Sequence, residues 1–365
     1  MYLDLLTRHR RALHRIPEIK YDLPKTQAYI LEALKDLDCA VTTAAGTGVL
    51  AYFDGGRPET MAFRADMDAL PVTEATAHDF QSAHPGCMHA CGHDGHMAML
   101  LVFARWVNEN INNLSRNVLL IFQPAEESGG GGEKIVETGA LERLNVKRVF
   151  AIHVEPALPM GVVATRPGPF MARASEIHLD VEGLSGHAAV PGAGRDALAA
   201  AVDFVHGAYE ADRELPRSAP RRIKFCKITS GNSTNVIPAS AQVAGTMRTF
   251  SDADYDALRA RMEFLAQKAE ADYGVKCRLN ILAGYPAVIN DQELYDRACA
   301  ALPVEYIPEP SFLGEDFSYY GRVAPEIMFR IGLGTGVPLH AATFDFDERA
   351  LETGVELFIK LAGME

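Results

Sequence analysis

The sequence has 365 residues, more than one hydrophobic core usually serves, so we expect two domains or one domain with a large insertion. A composition that is 48% hydrophobic and 23% charged excludes disordered, collagen-like and coiled-coil chains. The net charge of −13 argues against sequence-independent binding to nucleic acid, and the longest apolar stretch falls short of the roughly 20 residues that a membrane helix needs. We therefore expect a cytoplasmic protein whose partners are small molecules, not nucleic acid or membrane.

The N-terminal half predicts a layered α/β structure. Two helices come first, the second opened by Pro24, and strands follow. Short, almost wholly apolar runs then recur at 61–65, 118–122, 149–154 and 327–331, separated by helical stretches such as 97–108. Apolar runs without alternation are typical of strands that are covered on both faces, which predicts a mainly parallel sheet.

The segment 169–284 has a different pattern. Residues 176–182 alternate strictly between apolar and polar, which indicates a strand with one solvated face. The elements that follow complete the order β-α-β-β-α-β of a ferredoxin-like unit. Proline-glycine clusters flank the segment. We predict a parallel-sheet α/β domain over 1–168 and 285–365, with a ferredoxin-like α+β domain inserted at 169–284.

Polar residues follow the predicted strands at the edge where open parallel sheets bind ligands. These residues are Asp66 and Asp68 after the first apolar run, Glu126 and Glu127 after the second, His153 near the end of the third, and His340 beyond the fourth. A separate loop at 88–96 carries Cys91 and His93, whose spacing lets both side chains point the same way if the loop is extended. Thiol, imidazole and carboxylate groups thus converge on one rim, as in a metal site.

Each of these residues also has an ordinary structural interpretation. Glu126 and Glu127 could be acids at a helix start, and His153 and His340 could each be hydrogen-bonded core histidines. Their joint placement favours a metal site, where one glutamate can coordinate while its neighbour takes a proton from water. Asp68 could orient one of the metal ligands through a hydrogen bond. The chemistry that this arrangement predicts is hydrolysis of an amide or ester.

The chain resembles the M20 metallopeptidases over essentially its whole length. The resemblance is to the amidohydrolase branch, which includes hippurate hydrolases, auxin-conjugate hydrolases and N-acetyldiaminopimelate deacetylases. It is carried by HRIPE at 14–18, RADMDALP at 64–71, MHACGHDGH at 88–96, FQPAEE at 122–127, GHAA at 186–189, NVIP at 235–238, GTMRT at 245–249 and GEDF at 314–317. Asp66 stands where M20 exopeptidases carry a ligand histidine, which favours the amidohydrolase branch.

The resemblance implies a role for each site residue. Two divalent ions per chain, manganese or zinc, would be held by Cys91, His93, Glu127, His153 and His340. Glu126 would be the general base, with Asp68 in support. The inserted domain would be a lid and dimerisation domain, in which His187 polarises the scissile carbonyl while Asn235 and Arg248 bind the substrate carboxylate, either within one chain or across the dimer.

The resemblance also implies a substrate, an N-acyl amino acid. N-acetyldiaminopimelate, from the acetyl branch of lysine synthesis, is the first expectation, and another N-acyl-amino-acid amidohydrolase of hippurate or aminoacylase type is the alternative. A non-catalytic binding protein of the same fold is a remote third possibility. A serine hydrolase is disfavoured because no Gly-x-Ser-x-Gly occurs, and a phosphate loop because no Lys-Ser or Lys-Thr follows the glycines at 129–132.

Overall fold

The computed structural model describes residues 2–216 and 220–364. The chain divides into two compact units, the first formed by Met1–Phe170, Ile289–Glu309 and Asp316–Glu365, the second by Met171–Val288 and Pro310–Glu315. The sequence prediction assigns 310–315 to the first domain, whereas the structure groups it with the second unit. The reason is local packing, since the Phe312 ring lies 5.4 Å from that of Phe250 and its carbonyl oxygen accepts a hydrogen bond from Arg248.

The strands and helices are numbered in chain order. The strands are β1 Ala40–Ala44, β2 Gly48–Phe53, β3 Thr60–Asp66, β4 Asn117–Gln123, β5 Val146–Glu155, β6 Val163–Thr165, β7 Gly168–Met171, β8 Arg173–Glu182, β9 Gly186–His187, β10 Arg222–Ser230, β11 Val236–Ile237, β12 Ser240–Thr249, β13 Lys276–Leu282, β14 Val288–Asn290, β15 Glu305–Tyr306 and β16 Glu326–Gly332. The helices are α1 Leu3–His14, α2 Pro24–Leu34, α3 His93–Asn110, α4 Gly131–Glu137, α5 Ala140–Arg143, α6 Ala197–Glu214, α7 Asp252–Tyr273, α8 Gln292–Ala301 and α9 Ala350–Ala362.

The first unit is built on a large mixed sheet. Within the described residues its strand order is β1-β2-β4-β3-β5-β16-β6-β15. The central strands β4, β3, β5 and β16 are parallel, and β3, β4 and β16 are buried along their whole length. These are the apolar runs of the sequence, and the predicted α/β class with a mainly parallel sheet is confirmed. Antiparallel pairing is found at the margins, where β2 lies beside β4 and β6 beside β16.

Helix α3 runs through the core of this unit. It is buried from His93 to Ala104, because it packs against the sheet as well as against α1 and α9. The crossing with α9 is close: a Cβ added to Gly354 would lie 2.0 Å from the sulfur of Met99. A larger residue at that position would therefore force the Met99 side chain to move. In the part of the chain that the structure describes, no helix is both long enough and apolar enough to cross a membrane.

The second unit has the predicted order of elements. Its antiparallel sheet, β10-β12-β8-β13, carries α6 and α7 on one face, and β8 alternates between buried and solvated residues. Side-chain caps start both helices: the carboxylate of Asp196 accepts from the amide of Ala199 at 3.0 Å, and the hydroxyl of Ser251 from that of Asp254 at 3.1 Å. Helix α7 ends at Gly274, whose φ of +64° is left-handed.

Candidate metal centre and active site

The loop that carries Cys91 is not extended, so the sequence argument from its two-residue spacing is wrong. Gly92 has a left-handed φ of +84°, and His93 already begins α3. A side chain at position 92 would collide with Val154, because its Cβ would lie 2.6 Å from that residue's Cγ2. A glycine turn at the start of a buried helix, rather than strand-like alternation, brings Cys91 and His93 together.

Three of the predicted ligands form a first buried group. The ligand atoms of Cys91, His93 and His153 all lie within 4.8 Å of one another, and the thiol sulfur is 3.5 Å from Nε2 of His153. Each imidazole donates a hydrogen bond from Nδ1 to a backbone carbonyl oxygen. His93 donates to Asp68 and His153 donates to Val154, both at 2.7 Å. These hydrogen bonds direct both Nε2 atoms into the group.

The Nε2 atom of His93 is the best indication that this group binds a cation. It is buried and has no hydrogen-bond partner among the described residues, and its distances to the carboxylates of Asp66 and Glu127 are 3.8 and 3.9 Å. A buried imidazole nitrogen without a partner is costly unless something binds it. Its neighbours are a thiol and a second imidazole, which are the donors that zinc and related ions prefer.

The remaining two predicted ligands form a second group with the same cysteine. The ligand atoms of Cys91, Glu127 and His340 lie within 4.8 Å of one another, and Oε1 of Glu127 is 3.3 Å from Nε2 of His340. Burial and the nearby carboxylates of Glu127 and Glu126 raise the pKa of the Cys91 thiol well above its usual range. A bound cation would reverse that effect, because a coordinating thiol is deprotonated.

Backbone conformations outside the usual regions occur at both ends of the second group. His340 has a φ of +65°, and Ala125, directly before Glu126, has a φ of +57°. Such conformations cost about 1–3 kcal/mol each in non-glycine residues and persist only where the surroundings enforce them. The amide of His340 donates to the carbonyl oxygen of Ala90 at 2.8 Å, which ties this residue to the Cys91 loop.

Asp68 links the two groups through hydrogen bonds. Its carboxylate accepts hydrogen bonds from the backbone amides of Glu126 at 2.9 Å and Glu127 at 3.1 Å. Its backbone carbonyl oxygen accepts one from Nδ1 of His93. Burial raises the pKa of Asp68 to about 6. The predicted base, Glu126, is buried as well, and its carboxylate lies within 4.8 Å of the ligand atoms of His93 and Glu127. Asp68 therefore sets the position of the turn that carries both glutamates.

Sequence reasoning missed a buried polar network behind the ligands. Asp66 binds Nδ1 of His96 through one oxygen and Nη1 of Arg64 through the other, both at 2.6 Å. Burial alone would raise the pKa of Asp66. The cationic groups around it, above all His93, instead hold this pKa well below its usual range. The Nη2 of Arg64 donates a further hydrogen bond, to the carboxylate of Asp316 at 3.0 Å. The available signal was a single arginine inside an apolar strand, since a charge there requires buried partners.

The three residues predicted to meet substrate all lie in the second unit, but not together. His187 and Asn235 are adjacent, because β9 pairs with β11 and the amide of Ala188 donates to the Asn235 carbonyl oxygen at 3.0 Å. Arg248 lies near the far end of β12, eight residues beyond its start at Ser240. At about 3.3 Å per residue this is roughly 26 Å along the strand. Its guanidinium donates to the carbonyl oxygen of Phe312 at 3.1 Å.

Comparison with known proteins gives a consistent result. The family model of Peptidase family M20/M25/M40 matches residues 62–363. Proteins named N-acetyldiaminopimelate deacetylase from Bacillus pumilus (strain SAFR-032) and Shouchella clausii (strain KSM-K16) are 36% and 33% identical, over 97% and 98% of this chain and 97% of each relative. A solved Bacillus subtilis structure, described as a dinuclear metal binding peptidase from the M20 family, has a TM-score of 0.86 and 30% identity, covering 99% of this chain and 97% of that one.

The chain therefore belongs to peptidase family M20, and the resemblance stated from its motifs is confirmed. It is a hydrolase of that family, which confirms the prediction of an enzyme, a metal-dependent amidohydrolase. Its ligand groups could hold divalent cations.

Proposed function

We propose that the protein hydrolyses the amide bond of N-acyl amino acids, with N-acetyldiaminopimelate as the first candidate substrate. The observation that carries this proposal is the position of Cys91, which belongs to both ligand groups and lies beside the turn of Glu126 and Glu127. Two relatives that carry the deacetylase name support the choice of substrate. Another N-acyl-amino-acid amidohydrolase remains the alternative, since identities of 33% and 36% leave room for a different acyl or amino-acid pocket.

The donor set suggests two divalent ions per chain, zinc or manganese. Cys91, His93 and His153 would hold one, and Cys91, Glu127 and His340 the other. Zinc suits a thiolate with imidazoles, whereas manganese favours carboxylate oxygens. When bound, such ions act as Lewis acids on a carbonyl and lower the pKa of water to about 7.

Glu126 is then the proton carrier. Its carboxylate takes a proton from the attacking water and passes that proton to the nitrogen of the leaving amine, so that one group acts first as base and then as acid. The hydrogen bond from its amide to Asp68 fixes the backbone from which this side chain extends. Glu127, one residue further, is left to bind the cation.

The second unit would bind the rest of the substrate. Arg248, assisted by Asn235, presents donors for a carboxylate, and His187 would polarise the scissile carbonyl. We also propose a homodimer through this unit. Strand β10 is an edge strand of its sheet, and Val202 on α6 and Ile228 on β10 are exposed apolar residues beside a groove of about 270 Å³. A cytoplasmic location stays a prediction.

The decisive experiment measures acetate release from N-acetyldiaminopimelate by the purified protein. We expect turnover that stops with a chelator and returns when manganese or zinc is added. N-benzoyl and N-acetyl amino acids and dipeptides, assayed under the same conditions, separate the deacetylase from the alternative through their kcat/KM values. Activity that survives complete removal of metal would contradict the mechanism. A purified protein that takes up no divalent ion and turns over none of these substrates would support the non-catalytic binding protein instead.

A further inference from the structure

The side chain of Arg10, on α1, is buried and paired with carboxylates. It is 1% exposed, and its guanidinium lies between two aromatic rings, 4.9 Å from the centroid of Phe80 and 4.5 Å from that of Phe346. Nε donates to Asp94 at 3.0 Å and Nη2 to Asp345 at 2.7 Å. The rings hold the plane of the group, and the fork of donors then fixes where the two carboxylates lie.

The two carboxylates belong to the segments that carry opposite halves of the metal centre. Asp94 directly follows His93 in the first turn of α3. Asp345 lies five residues after His340, in the stretch 333–349 between β16 and α9, which is fully described and contains neither helix nor strand. A long irregular stretch depends on specific tethers for its position. Arg10 joins it to the helix that presents His93.

We propose that Arg10 is a positioning residue of the metal centre, which sets His340 at the correct separation from His93 through Asp345 and Asp94. The inference rests on the proposed function, because it treats both histidines as ligands. Two backbone tethers reach the same stretch: the amide of Ala75 donates to the carbonyl oxygen of Ala342, and the amide of His340 donates to that of Ala90, both at 2.8 Å. Arg10 adds a side-chain link, which joins Asp345 directly to Asp94 in the first turn of α3. Without its contact to Asp345, the second ligand group becomes looser while the first persists.

The neighbouring residue provides a natural comparison. Arg11 also stacks on Phe80, 4.6 Å from the centroid, and binds a carboxylate of the same stretch, that of Glu348 at 2.7 Å. Its side chain is 42% exposed. Arg10 also reaches Glu348 through Nη1 at 3.5 Å, but the ion pair of Arg11 with Glu348 involves neither Asp94 nor Asp345. If Arg10 merely fastened α1 to the rest of the unit, the two arginines would have similar effects on the metal centre.

The test uses Asp345→Asn and Arg10→Lys in the full-length protein loaded with zinc, with Asp347→Asn and Arg11→Lys as controls. Asp347 is an exposed carboxylate of the same stretch that pairs with Arg349, so its variant makes the same charge change. Metal per chain is measured by elemental analysis, release by the rate of transfer to a chromophoric chelator, and folding by circular dichroism and Tm. Loss of a group behind a ligand typically lowers metal affinity about 10- to 100-fold. We expect both test variants to release one of the two ions faster by a corresponding factor, and both controls to stay within about twofold of the wild-type rate.

The possible results separate this inference from the proposal on which it rests. Folded test variants that keep two ions and the wild-type release rate would overturn the role of Arg10, and so would a lower Tm with unchanged release. If Arg10→Lys does not fold, Asp345→Asn decides, because it leaves the buried pair of Arg10 and Asp94 intact. A wild-type protein that takes up no zinc would overturn the proposed function itself.

Discussion

The two sets of predicted functional residues are organised in different ways. In the first unit, the predicted ligand residues Cys91, His93 and His153 are buried, and their donor atoms lie within 4.8 Å of one another. Hydrogen bonds to backbone groups set the orientation of both imidazoles. In the second unit, His187 is exposed in the two-stranded β9-β11 sheet, and Arg248 lies near the far end of β12 in the four-stranded sheet.

This difference indicates what each set needs in order to function. Buried imidazoles, thiol and carboxylates are expensive to desolvate, so a chain that gathers them already holds the geometry that a cation requires. His187, which is exposed, and Arg248, which is half-buried, lie apart in the second unit and are not gathered in this way. The donor atoms of the first set therefore meet within one unit, whereas the residues of the second set do not.

The largest effect is expected for Glu126→Gln. The change removes the proton acceptor but keeps the size of the side chain and the backbone amide that Asp68 binds. We expect kcat to fall about 10²- to 10⁴-fold, the usual contribution of a general base, with two divalent ions still bound. Steady-state acetate release and elemental analysis of the same preparation measure both quantities.

The matched control for that variant is Glu137→Gln. Glu137 ends α4 in the same part of the chain and forms an exposed ion pair with Lys134 at 2.7 Å, so its loss should leave kcat unchanged. Glu126→Gln protein that keeps wild-type turnover would remove Glu126 from its role. Loss of the ions together with activity would instead assign it to metal binding.

An intermediate effect is expected for Asp68→Asn. The asparagine side chain has one acceptor oxygen in place of two, so it can accept from the backbone amide of only one of the two residues Glu126 and Glu127. The turn that carries them therefore loses one of its hydrogen bonds. We expect metal affinity or kcat/KM to fall about 10- to 100-fold. Asp54→Asn is the control, since that exposed carboxylate also accepts from a backbone amide, that of Gly56 at 2.8 Å. Equal, small effects of both variants would show that Asp68 only supports the fold.

Much of the metal centre could be predicted from the sequence because it follows from sheet topology. Glu126 and Glu127 follow β4, His153 lies near the end of β5, and Asp68 follows β3, so parallel pairing brings them to one edge. Apolar runs without alternation were enough to predict that pairing, and the structure bears it out.

The supporting contacts could not be predicted, because they join positions that no local pattern relates. Arg64 and Asp316 are 252 residues apart in the sequence, and Arg10 is separated from Asp345 by 335. The turn at Gly92 was misread for a related reason, since alternation describes extended chain and a left-handed glycine abolishes it. Partner choice among buried charges depends on tertiary packing, which composition and periodicity do not encode.

In the second unit, we expect the smallest effect, a partial recovery of activity, when the Arg248→Met and His187→Ala variants are mixed. Arg248→Met alone should raise KM for substrates with a free carboxylate about 10- to 100-fold, since hydrogen bonds between charged groups contribute about 1.5–3 kcal/mol. His187→Ala alone should lower kcat. Because His187 lies in the β9-β11 pair and Arg248 lies near the far end of β12, we expect one substrate to contact Arg248 of one chain and His187 of its partner.

Subunit exchange between the two impaired variants would then restore part of the activity. Random mixing makes half of the dimers mixed, and each mixed dimer has one site with both residues intact, so about a quarter of wild-type activity should return. Size-exclusion chromatography of the mixture and assay at low substrate concentration provide the measurement. No recovery, in a mixture shown to exchange subunits, would mean that both residues come from the same chain, and the contrast between the two sets would fail for the second unit.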